Sequence, residues 1–204
     1  MSTIIPEGKR AITCFGSGKG EQGEPGYDAM QEVGRLIAAR GFVMLTGAYG
    51  GAGMEAPACG AIQERGGKAI GLSLGSAVPL EPNRFLTGVV DCTALADGID
   101  IPNVGFGVRL AGLMSADGFV LGSGGGIGTF LEFVAFLLFA TKFWPKQGVV
   151  KRMAVLTSPA HAGAIERETF DNLLTAGYIP DRVANLVKFV ETPEAAVAWV
   201  IDGE

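Results

Sequence analysis

Apolar residues follow two alternating rhythms along this chain. Short apolar runs, at residues 10–16, 42–46, 68–73, 119–121, 149–157 and 185–190, have the length and continuity of strands covered on both faces. Between them lie stretches whose apolar positions recur every three or four residues. Residues 27–40 do so through Met30, Val33, Leu36 and Ile37, and the stretch from Ile127 through Phe130, Leu131, Val134, Leu137 and Leu138. Further helices are predicted over 54–65, 104–114, 161–176 and 193–202, the last opening on Pro193. Strand followed by helix, repeated, predicts an α/β fold: a doubly wound parallel sheet in three layers, formed as one domain over residues 1–204, with ligands at the carboxyl ends of the strands. Residues 75–103 break the pattern with Pro79, Pro82 and Pro102. They read as an ordinary connection or a lid, with a short extended piece within 85–92.

Glycine clusters fall where those strands end. The most concentrated runs from Gly122 to Gly128, five glycines in seven positions, between the 119–121 strand and the helix that follows. Without Cβ atoms such a loop brings backbone N–H groups close to a ligand, and the helix start adds unpaired donors and partial positive charge, a combination suited to phosphate. Thr129 is placed to cap that helix. Glu132 is the only charge between Asp117 and Lys142. It is either a half-exposed carboxylate favoured by the helix dipole or an acid or base turned toward the loop. Arg109, among apolar neighbours, reads first as a snorkelling or paired surface residue. Two other loops, at Gly16-Ser17-Gly18 and Gly47 to Gly53, match neither the dinucleotide fingerprint nor a P-loop.

Composition narrows the function classes. The 204 residues are 48% hydrophobic and 18% charged, which excludes disorder, and a net charge of −5 with scattered basic residues argues against nucleic acid as a partner. Cys14, Cys59 and Cys92 are far apart, with no CxxC pair, and His161 has no ligand set beside it. No metal site and a cytoplasmic location are therefore expected. No uninterrupted apolar run reaches about 18 residues, so no membrane partner is expected, and 133–140 reads as a buried helix or a subunit contact.

Several separate stretches carry a family resemblance. Phe15-Gly-Ser-Gly18, Thr46-Gly-Ala-Tyr-Gly-Gly-Ala-Gly-Met-Glu-Ala56, Gly67-Lys-Ala-Ile-Gly71 and Gly124-Gly-Gly-Ile-Gly-Thr-Phe-Leu-Glu132 resemble the Lonely Guy family, whose signature is P-G-G-x-G-T-x-x-E and whose members are often labelled lysine decarboxylases. The resemblance covers nearly the whole chain. It implies a homodimeric Rossmann-like fold and hydrolysis of the N-glycosidic bond of a nucleoside 5′-monophosphate to free base and ribose 5-phosphate, with no cofactor required. By position it makes Glu132 the catalytic carboxylate with Arg109 assisting, and gives Gly125, Gly126, Gly128 and Thr129 to the phosphate. Gly124, Gly16, Ser17, Gly18, Gly47, Gly50 and Gly51 complete the candidate nucleotide-binding set. Gly124 replaces the signature proline, Leu110 follows Arg109 where a basic pair is usual, and Leu131 and Phe133 flank Glu132. These departures resemble a divergent branch near the molybdenum-cofactor carrier proteins, which implies as an alternative a non-catalytic nucleotide or molybdenum-cofactor carrier. No lysine stands in a context that marks a Schiff-base site, which leaves pyridoxal-dependent decarboxylation unsupported.

Overall fold

The computed structural model describes residues 5–16, 21–75, 81–95, 104–157 and 164–203. Seven strands form one parallel sheet: β1 (Ala11–Phe15), β2 (Val43–Gly47), β3 (Ala69–Ser73), β4 (Gly88–Asp91), β5 (Gly118–Gly122), β6 (Arg152–Leu156) and β7 (Val187–Val190). Their spatial order is β4-β3-β2-β1-β5-β6-β7. The chain thus builds outward from β1 in one direction, returns, and builds outward in the other. The crevice between the carboxyl ends of β1 and β5 is where such a sheet reverses and where ligands bind.

Helices cover both faces. α1 (Pro25–Ala39), α2 (Ala52–Gln63) and α8 (Pro193–Ile201) pack on one, while α4 (Val104–Leu113), α5 (Ile127–Leu138) and α6 (Ala164–Thr175) cover the other. Alternation along β1 explains the division: Ile12 and Cys14 join the first core, Ala11 and Phe15 the second. Thr13 is the polar exception on the second face, and its hydroxyl donates to the Leu113 carbonyl at the end of α4, 2.7 Å away. Phe119, Phe136 and Trp144 form the aromatic centre of that core, with ring centroids 5.3–5.6 Å apart. On the opposite face α1 and α2 touch backbone to backbone, since a side chain on Gly34 would overlap Pro57 and one on Gly60 would overlap Gln31. That contact fixes where both helices begin, at the ligand edge.

The expected elements are present, with three differences. The extended piece within 85–92 is a full sheet member, β4, followed by the short helix α3 (Cys92–Leu95). A one-turn helix, α7 (Asp181–Ala184), precedes β7 in a stretch not expected to be helical. α5 continues through a π-helical turn (Phe139–Phe143) and a 3₁₀ turn (Trp144–Gln147), giving a 21-residue helical run that by length and apolarity alone could cross a bilayer. Its inner residues, Phe133, Phe136, Ala140 and Trp144, lie in the core beneath the sheet. The apolar residues it leaves exposed are Ile127, Leu131, Leu138 and Phe143, so most of the 133–139 run is consumed inside the chain.

Candidate functional site

Ser123, Gly124, Gly125 and Gly126 connect β5 to α5. Gly124 has φ 83°, in the left-handed region that glycine enters freely. A proline, held near −65°, cannot adopt that conformation, so the loop follows a path closed to the family's usual residue. Gly125 needs its missing side chain for a different reason, because a Cβ there would collide with Thr129. Gly126 is the N-cap of α5, and no side chain caps the helix. The expected cap, Thr129, sits inside the first turn and donates its hydroxyl to the Gly16 carbonyl at 3.0 Å instead, joining the two walls of the β1/β5 crevice. No acceptor among the described residues takes the backbone N–H groups of Gly125 through Gly128. Gly126, Ile127 and Gly128 are exposed, Ile127 at 85%, so the uncapped start of α5 is within reach of solvent.

Glu132 lies one turn further along α5 and is half-buried. Burial pushes its carboxyl up to about 7 from the ordinary 4.5, while the Arg109 charge pulls it partway down. Glu132 is thus half-exposed, as the first-turn reading has it, and also feels a cation from another helix, as the reading of an acid or base facing the loop requires. At neutral pH its protonated and ionised forms coexist, as general acid–base chemistry requires.

Arg109 reaches from α4 across the ends of β2 and β3. Its Nε–H donates to the Leu72 carbonyl at 2.9 Å, and the guanidinium carbon lies 5.9 Å from the centroid of the Tyr49 ring. It is half-buried and tethered rather than snorkelling. The β2–α2 loop shares with the β5–α5 loop a helix start that no side chain caps, but Gly47 and Gly50 are engaged by the protein itself. A side chain on Gly47 would overlap Arg109, the Gly50 N–H is taken by the Glu81 carbonyl, and Gly51 has φ 135° and is the N-cap of α2. The loop is further fastened by Asn83, which is buried, donates its backbone N–H to Ala48 at 2.8 Å and its side-chain amide to the Met54 carbonyl at 3.2 Å. Residues 81–83, part of the 75–103 stretch read as an ordinary connection or a lid, are pinned to this loop, as a connection would be. Ser17, Gly18 and His161 lie outside the described residues.

Tyr49, Leu72 and Asn83 were not evident as site-building residues. Tyr49 alone carried a signal: it is the one bulky side chain in an otherwise glycine and alanine loop. Among the described residues no group of three or more His, Cys, Asp or Glu is placed to hold a metal ion.

The model of the SLOG cluster4 family matches residues 9–142. The molybdenum cofactor carrier protein of Chlamydomonas reinhardtii superposes with a TM-score of 0.60 at 21% identity, covering 93% of this chain and 94% of that one. A further structure of the Chlamydomonas carrier shares 26% identity at a TM-score of 0.57, covering 93% and 94%. The molybdenum cofactor binding protein of the phototrophic bacterium Rippkaea orientalis gives 0.59 at 22% identity, covering 91% of each chain. Comparison with curated protein sequences gave no match. The Lonely Guy-like resemblance and its divergent, carrier-like branch are both upheld. The family match spans the crevice, both glycine loops, Arg109 and Glu132, and the chain belongs to the SLOG cluster4 family.

Proposed function

We propose that this protein hydrolyses the N-glycosidic bond of a nucleoside 5′-monophosphate, with the phosphate on the free amides of Gly125 to Gly128 and the ribose against Glu132 and Arg109. The observation that carries this reading is the placement of Glu132: a half-buried carboxyl one turn from the uncapped, glycine-lined start of α5, its charge disfavoured by burial and favoured by Arg109. In the reaction the bond from C1′ to the base nitrogen breaks with its electron pair on the base, leaving an oxocarbenium-like sugar. Ionised Glu132 stabilises that charge and takes a proton from the attacking water, whose oxygen bonds to C1′. The proton passes to the departing base, giving free base and ribose 5-phosphate. Thr129, whose hydroxyl proton is committed to Gly16, supports the loop and leaves the amides to hold phosphate.

The test is to incubate the purified protein with a panel of purine and pyrimidine nucleoside monophosphates and to assay ribose 5-phosphate. Release by the wild type that is lost in Glu132→Ala supports the reading, and equal silence of the two proteins across the panel ends it. A second reading, a carrier of a phosphorylated cofactor, is favoured by neighbours described as molybdenum cofactor carrier and binding proteins. It predicts ligand retention without turnover in the same experiment.

The exposed apolar residues Leu131, Leu138 and Phe143 along α5 and its extension, with Phe106 of α4, support a further proposal, that two copies associate through this surface. Sedimentation at micromolar concentration should give a dimer, and Leu138→Glu a monomer. A wild-type monomer would refute it.

A further inference from the structure

The β2–α2 loop is built around the protein's own cation. Arg109 is held by the Leu72 carbonyl at 2.9 Å, lies over Tyr49, and places Nη2 in the space that a Gly47 side chain would fill. Tyr49 is itself fixed: it is 9% exposed, and its hydroxyl accepts the Leu74 N–H at 2.8 Å. Its neighbour Ala48 is bound through its carbonyl to Asn83. These constraints come from β2, β3 and residues 81–83, none of them on the arginine's own helix. Gly47 does not have a left-handed φ, so alanine there meets no backbone penalty. Among the described residues, and apart from its chain neighbours, the atoms within 4 Å that its Cβ would meet belong to Arg109.

We propose that Gly47 and Tyr49 are positioning residues that seat the Arg109 guanidinium in one orientation beside Glu132, so that an anionic ligand meets a preset cation. An arginine free to rotate loses side-chain entropy when a ligand fixes it, and seating it beforehand removes much of that loss. The Nε–H is spent on Leu72, which leaves the terminal N–H groups for a phosphate or sugar oxygen. The glycine at the end of β2 therefore serves the ligand indirectly, by leaving room for the arginine. This role deepens the proposed ligand site and rests on it, although the seat itself exists without a ligand.

Two readouts test the seat. One is the affinity for ribose 5-phosphate by calorimetry, and the other is the titration of the Glu132 carboxyl by carbon NMR, in wild type, Gly47→Ala, Arg109→Ala and the double variant. Gly47→Ala should weaken ribose 5-phosphate binding about tenfold and, because the guanidinium is pushed aside, raise the Glu132 midpoint in the direction that Arg109→Ala raises it. In the Arg109→Ala background Gly47→Ala should change neither quantity. Tyr49→Phe, which keeps the ring but loses the bond to Leu74, should move both in the same direction by less. If Tyr49→Phe matches wild type, Tyr49 does not belong to the seat. The proposal is overturned if Gly47→Ala matches wild type in both readouts, or weakens binding equally without Arg109. If wild type does not bind ribose 5-phosphate, the ligand reading fails, and the Glu132 titration alone decides whether Gly47 seats the arginine.

Discussion

The two glycine loops, after β2 and after β5, look alike in sequence and do opposite things. After β5, no acceptor among the described residues takes the backbone N–H groups of Gly125 to Gly128 at an exposed helix start, while Gly122 and Gly125 give up their Cβ space to Met30 and Thr129. After β2, the loop is consumed from within: Gly47 makes room for Arg109, Gly50 bonds Glu81, and the loop is laced to Asn83. A missing Cβ shows that something comes close to the backbone, but not whether the visitor is a ligand or another part of the same chain.

The strongest way to break this contrast is at Glu132, the residue proposed to supply the chemistry beside the β5–α5 loop. Glu132→Ala should reduce release of ribose 5-phosphate by about 10²–10⁴-fold, the range for losing a positioned acid–base group, while leaving phosphate binding intact. Loss of binding and rate together would mean that Glu132 builds the loop.

The same carboxyl governs stability with a sign that can be worked out. Folded, it titrates near 7; at its ordinary value of 4.5 when unfolded, it holds fewer protons between those two pH values. The native state therefore gains from the bound proton at low pH and loses that advantage as pH rises through about 7. Glu132→Gln should accordingly raise the melting temperature at pH 8, by an amount corresponding to about 2–3 kcal/mol, and leave it nearly unchanged at pH 4. Wild-type hydrolysis should rise with pH across the same midpoint, since the ionised form does the work. Equal melting of wild type and Glu132→Gln at pH 8 would contradict the burial that separates this acid from water.

Anion binding separates the two loops more finely. Gly128 is exposed with open space at its Cβ position, so Gly128→Asp should fold normally and weaken phosphate binding about tenfold by opposing the helix dipole. Gly50→Val, pressed against the Glu81 carbonyl, should cost about 1–2 kcal/mol of stability with little effect on phosphate affinity. Denaturant unfolding and calorimetry on the pair would decide. Were the two variants to exchange phenotypes, the roles assigned to the loops would be reversed.

Much of this was legible in the sequence. The apolar runs of 42–46 and 119–121, seen as β2 and β5, and the periodicity of α1 and α5 announced the layers, because burial on both faces of a parallel sheet leaves little choice of residue. β4 was harder to recognise because Gly88–Asp91 sits at the sheet edge with Val89 exposed, so its pattern is diluted. The position of Glu132 was predictable, but its environment was not, since that depends on Arg109 arriving from 23 positions earlier by way of the Leu72 carbonyl. Thr129 misled for a related reason: a threonine near a helix start usually serves its own helix, and only the fold brings Gly16 within reach.

The left-handed turn at Gly124 has a consequence for anyone who would convert this protein into its better-known cousins. Installing the signature proline would not restore an ancestral grip, because the imide ring forbids the dihedral on which the present strand-to-helix passage depends. Any route between the two branches of the family has to rebuild that corner before the ring can be accommodated, so residue 124 acts as a ratchet in sequence space.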